Sequence, residues 1–142
     1  MRARSLWVAT TFTVAILGTT PAWAANWRLI QHGEGRDVYV DTSSFVRSGS
    51  NVKVWTKSVF AQPQRSATNG RTYVVQLVHA AYACDRPVST PLGYRLFSTL
   101  DQTVLVEEAD FGDAPPGWDD VQPGTVYGQI RDLGCKAGPS AK

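Results

Sequence analysis

Between Asn51 and Phe60 the side chains alternate with a period of two: Val52, Val54, Thr56, Ser58 and Phe60 fall on one side, Lys53, Trp55, Lys57 and Val59 on the other. That is the period of a β-strand, in which successive side chains point to opposite faces. The first row reads as facing the core. A polar stretch with Pro63, Arg65 and the turn pair Asn69 and Gly70 separates it from Arg71 to Ala83, which is apolar on both faces and reads as a central strand.

The other segments follow the same logic. Asn26 to Gln31 and Asp37 to Val40 read as short strands, the second ending at Asp41, whose carboxylate can cap a turn through Thr42, Ser43 and Ser44. After Cys84 the segment through Pro87 and Pro91 is not expected to form a regular strand interior. Gly93 to Leu100 and Thr103 to Asp110 read as a tight hairpin around Asp101 and Gln102, and Gly112 to Gly117 as a loop, after which Trp118 and Val121 are expected to re-enter the fold as apolar anchors. Val126, Ile130 and Leu133, spaced i, i+4, i+7, predict a short C-terminal helix capped by Thr125 and ended by Gly134.

The N-terminus sets the compartment. Arg2 and Arg4 precede an almost uncharged stretch, Leu6 to Leu17, and Pro21, Ala22, Trp23, Ala24 closes it with small residues at the positions a signal peptidase reads. Residues 1–24 are therefore expected to be a cleaved signal peptide. A membrane anchor is the alternative, but about a dozen apolar residues fall short of the roughly 20 a spanning helix needs. No Cys follows the apolar stretch, so no lipid anchor is expected there. Removing the leader takes 14 Lys and Arg to 12 against 12 Asp and Glu, so the mature chain is formally neutral and carries no electrostatic footprint for nucleic acid.

Both cysteines, Cys84 and Cys135, lie in the mature part, and an even count in an exported chain predicts an intramolecular bridge. It would pin the C-terminal helix to the end of the central strand. The expected fold is thus a single α+β domain over residues 25–136. Its antiparallel sheet has five to six strands, its C-terminal helix is held by one disulfide, and residues 137–142 form a disordered tail.

Residues that could carry chemistry are few. His32 sits before Gly33 and Gly35 in a turn, where solvent exposure is expected, and His79 on the central strand is expected to be buried and hydrogen-bonded. No G-x-S-x-G, H-E-x-x-H, C-x-x-C or Gly-rich phosphate loop is present. The acidic residues Glu107, Glu108, Asp110, Asp113, Asp119 and Asp120 lack the order of a calcium loop. Although Glu108 and Asp110 share a strand face, solvated acids at strand ends are the simpler reading. No enzyme, no cofactor and no metal is expected. Three tryptophans remain in the mature chain, and Trp55 stands out because it lies between Lys53 and Lys57 on one face. Lys53, Trp55 and Lys57 form a candidate contact patch for a protein partner.

The ordered features resemble the surface-adhesin protein E family. The residues that carry the likeness are Trp27; Val38, Tyr39, Val40 and Asp41 followed by Ser43 and Ser44; Val54 and Trp55; Tyr73 leading to Cys84; the hairpin from Tyr94 to Val106; and Trp118 through Pro123, Gly124 and Thr125 to Cys135. The resemblance implies an antiparallel sheet with a C-terminal helix and one disulfide, in a non-enzymatic adhesin that binds host matrix and plasma proteins as a surface dimer. Two function classes follow. One is an exported binding module, periplasmic or secreted, with a protein partner and a homodimer as a further option. It would use a basic and aromatic patch of Lys53, Trp55 and Lys57 with Arg65 and Arg71, the residues that stand for the basic binding segment the resemblance implies. The other is a periplasmic inhibitor or envelope-assembly factor in which a loop such as Gly112 to Trp118 enters a partner's cleft.

Overall fold

The computed structural model describes residues 24–112 and 114–137. The expected leader, apart from Ala24, and the expected tail beyond Ala137 lie outside the described residues. One antiparallel sheet runs β1 (Trp27–His32), β2 (Arg36–Asp41), β4 (Asn51–Arg65), β5 (Thr72–Ala83), β6 (Val88–Phe97) and β7 (Leu105–Asp110), with β3 (Val46–Ser48) on β4 and β8 (Asp119–Asp120) on β6. Helix α1 (Val126–Lys136) follows.

The sheet has eight strands rather than five or six, and the two extra ones have a common origin. The edge of β4 is first paired by β2 and then, after a short break, by β3. The break is built by Asp41, whose carboxylate accepts from the Asn26 and Ser43 amides, while the Ser44 hydroxyl donates to Asp41 O and accepts from Trp55 N. In the same way β7 covers Gly93 to Phe97 and β8 covers Val88 and Ser89 on one edge of β6.

Three further expectations are corrected. β6 runs through Pro91, because the register slips between His79 and Ala80, and a proline without an N–H fits at such a bulge. The hairpin turn is wider than expected, since a loop occupies Ser98 to Val104, closed by Ser98 N donating to Val104 O, so β6 stops at Phe97 and β7 begins at Leu105. Trp118 is no core anchor: it is exposed, with the Arg86 guanidinium 5.5 Å from its ring centroid, and only Val121 enters the core.

Helix α1 begins as expected, with the Thr125 hydroxyl accepting from Gly128 N at 3.2 Å. It does not end at Gly134 but continues through Cys135 to Lys136. Gly134 is instead a point of close approach. A Cβ there would lie 2.9 Å from Phe45 Cε1 and 3.0 Å from Val52 Cγ1, so only glycine lets the helix sit this close to the sheet. The core lies between this helix and one sheet face, where Val40, Val52, Val54, Ala80 and Tyr82 meet Val121, Val126 and Ile130. That confirms the inward row of β4 as far as Thr56, while Phe60 lies beyond the helix and is half-buried against Tyr73. Cys84 and Cys135 are bonded with Cα atoms 5.7 Å apart. Arg131 reinforces the junction, donating from Nε to Ala83 O at 2.7 Å and from Nη2 to Cys84 O at 3.0 Å.

Candidate functional site

The helix occupies one face of the sheet and leaves the other without a covering element. Alternation along β4 sends Lys53, Trp55 and Lys57 to that open face, and cross-strand partners share it: Tyr39 opposite Lys57, His79 opposite Trp55, and, one strand further, Arg95 opposite Glu108. Lys57 Nζ lies 4.6 Å from the Trp27 ring centroid and 4.9 Å from that of Tyr39, a cation held over two aromatic faces. Burial pushes the Lys57 ammonium below the ordinary lysine value. Trp55 and His79 stack with centroids 4.7 Å apart and planes 9° from parallel. The Arg95 guanidinium is 5.5 Å from the Trp55 centroid, and its Nε is 3.5 Å from Glu108 Oε2. The result is one aromatic and cationic strip across the sheet from β1 to β7.

Beside Trp55 the strip dips into a cleft of about 310 Å³ lined by His79, Gly93, Arg95, Glu108 and Asp110 among others. Gly93 opens it. A Cβ at this position would meet Ala109 O at 2.7 Å, so β7 can lie close against β6 only because position 93 carries no side chain. The polar groups of the cleft lining are His79, Tyr94, Arg95, Glu108 and Asp110, with no Ser, Thr or Cys among them. Among the described residues no group of three or more His, Cys, Asp or Glu is placed to hold a metal ion.

The sequence-derived patch is split by the structure. Lys53, Trp55 and Lys57 stand together on the open face, with Trp55 half-buried. Arg65 and Arg71 lie at the far end of the β4 and β5 pair, where Arg65 Nη1 donates to Gly70 O at 2.7 Å and Arg71 Nη1 to Val106 O at 3.3 Å. These two close the hairpin and extend to the β7 edge. Trp27, Tyr39, His79, Arg95 and Glu108 complete the strip and lie outside the sequence-derived patch. Only cross-strand register, which composition does not carry, brings them to Trp55 and Lys57. His79, expected to be buried and hydrogen-bonded, is half-buried and partnered by the Trp55 ring. His32 is exposed as expected, with Nδ1 2.6 Å from Asp37 Oδ1.

The model of the surface-adhesin protein E family matches residues 27–136 of the 142. The chain belongs to this family. The match spans every strand and the helix of the adhesin E domain, so the open strip, the disulfide and the core all fall inside it. No curated protein matches the chain. In this adhesin E protein no helix among the described residues is long and apolar enough to cross a membrane.

Burial and the Lys53 charge depress the His79 pKa below its usual value, in that order, with Asp110 opposing. The folded state therefore binds fewer protons than the unfolded state as pH falls past about 6.5, the ordinary histidine value. Stability present above that pH is expected to decline through the folded pKa, and His79→Gln is expected to flatten this part of the profile. Urea unfolding of both proteins between about pH 7.5 and 5 checks it, a range that brackets the ordinary histidine value; identical slopes would refute it.

Proposed function

We propose that this protein is an exported binding module that acts by contact rather than catalysis, recognising a protein partner through the open sheet face centred on Trp55. The observation that carries this reading is the strip itself. Trp27, Tyr39 and Trp55 are interleaved with Lys57 and Arg95 on the one sheet face that the protein's own helix leaves uncovered. Tryptophan, tyrosine and arginine are the residues that dominate binding energy at protein interfaces. The Lys57 and Arg95 contacts hold these rings in place before binding, which reduces the ordering cost of association. Membership of an adhesin family supports contact as the mode of action. The leader motif supports export with cleavage after Ala24, to the periplasm or the medium without a lipid anchor.

Trp55→Ala is the deciding variant. Truncation removes one stacked ring pair, worth roughly 0.5 to 1.5 kcal/mol of stability beyond its area. If Trp55 anchors a partner, the same change is expected to weaken binding by about 2 kcal/mol or more, roughly thirtyfold. The wild-type protein and the variant, immobilised side by side after export, are compared for capture from periplasmic, membrane and medium fractions, and the captured partner is then titrated against both. Equal affinity for the two proteins, with the variant folded, would refute the open face as the binding surface.

A further inference from the structure

The helix covers only part of its own face of the sheet. Beyond its first turn the floor continues with Val38, Thr56, Ser58, Gln76 and Val78, which cross-strand pairing places side by side from β2 to β5. This floor is the base of a groove of about 360 Å³, walled by Asp119 and Asp120 of β8 and by Tyr127 at the start of the helix. It lies on the face opposite the Trp55 strip and is independent of that reading. Its volume is within the roughly 300 to 1,000 Å³ of small-molecule sites.

The groove has a distinct chemistry. Val38, Val78 and Ala80 give its base an apolar part, beside Ser58, Gln76, Ser89 and Thr90; the Thr56 hydroxyl donates to Val78 O, while the buried Thr90 Oγ1 has no hydrogen-bond partner among the described residues. Tyr127, 46 % exposed, presents its ring at the wall. Charge in the lining has one sign: two carboxylates, and no Lys, Arg or His. Neither Asp119 nor Asp120 makes an ion pair among the described residues. The adjoining hollow, which shares Gln76, adds Glu107, again with no basic residue in its lining. An uncompensated negative rim over a partly apolar base complements a positive head on an apolar body, and an aromatic wall attracts the same head.

We propose that this groove binds a small organic cation, an ammonium group carried on an apolar body. The test uses the exported, disulfide-bonded protein, 15N-labelled, titrated with phenethylammonium and, separately, with phenylacetate, which has the same ring and the opposite charge. Saturable shifts are expected at Ser58, Gln76, Val78 and Tyr127 with phenethylammonium and not with phenylacetate. Asp119→Asn combined with Asp120→Asn is expected to weaken the cation about fivefold, the effect of losing one favourable exposed charge contact. Ser58→Phe, which fills the floor beyond the helix-covered core, is expected to abolish binding even if the acidic variant does not fold. Absence of saturable shifts, equal affinity for phenylacetate, or unchanged affinity in the folded acidic variant would overturn the proposal. So would saturation of the groove by a blocked Ala-Lys-Phe peptide where free phenethylammonium fails, since the occupant would then be a polypeptide.

Discussion

A variant with both Cys84→Ala and Cys135→Ala is expected to lose about 4 kcal/mol of unfolding free energy, because the bridge closes a loop of 51 residues in the unfolded chain. For a domain whose net stability is of the order of 5 to 15 kcal/mol this is a large share. The folded geometry should survive the change. Arg131 still donates to Ala83 O and Cys84 O, and the helix still buries Ile130 against the sheet. The loss therefore falls on the unfolded side, and the circular dichroism of the variant below its transition should match that of the oxidised protein. Urea titration of the two proteins measures the difference. A midpoint shift equivalent to less than about 1 kcal/mol would mean that the oxidised and reduced unfolded chains are similarly restricted, and loop closure would not be the source of the bridge's stabilisation.

This bridge was legible in the sequence because it needed only an even cysteine count and a leader motif that predicts export. The alternation of β4 was legible for a related reason: Val52, Val54 and Thr56 report a burial pattern that is local. The helix, with Thr125 before it and Ile130 at its centre, belongs to the same class. What could not be read was non-local. β3 and β8 are three and two residues long and are strands only because an edge of β4 or β6 is left free for them. Pro91 reads as a breaker until the slip between His79 and Ala80 supplies a place without a required N–H. Gly134 reads as a helix stop, yet its role is set by Phe45, far earlier in the chain.

The candidate site divides along the same line. Lys53, Trp55 and Lys57 are grouped by strand period alone, and the structure keeps them grouped. Arg65 and Arg71 enter the patch through the basic segment that the family resemblance implies, but the bulge between Val59 and Gln64 and the hydrogen bonds to Gly70 and Val106 take them to the hairpin end. His79 and Arg95 join Trp55 through pairing of β4, β5 and β6, a register that no single segment encodes.

Ile130→Ala is expected to cost about 4 kcal/mol, near the upper part of the range of roughly 2 to 5 for such truncations. Ile130 is fully buried, and its surroundings are Val40, Val52, Val54, Val121 and Val126. Most of these are branched side chains on paired strands, stiff at χ1 and fixed by the sheet's hydrogen bonds, so the space left behind cannot collapse readily. Leu133, on the same helix but only partly buried, should cost clearly less when truncated, which provides an internal control in the same experiment. The helix is held by both Ile130 and the disulfide, so the two losses concern one element and need not add. In the cross-linked protein the first effect of Ile130→Ala should be loosening of the helix relative to the sheet, seen as faster amide exchange at Gly128 to Leu133 than in β4 and β5. Without the bridge the same truncation removes the main remaining contact between helix and sheet, and the combined loss approaches the whole stability of a domain this size. Urea unfolding of Ile130→Ala in the oxidised and cysteine-free backgrounds checks both statements. A cost below about 1 kcal/mol in the oxidised protein would show that the core closes over the missing side chain, and that the valines of the sheet are not held rigidly enough to keep a cavity open.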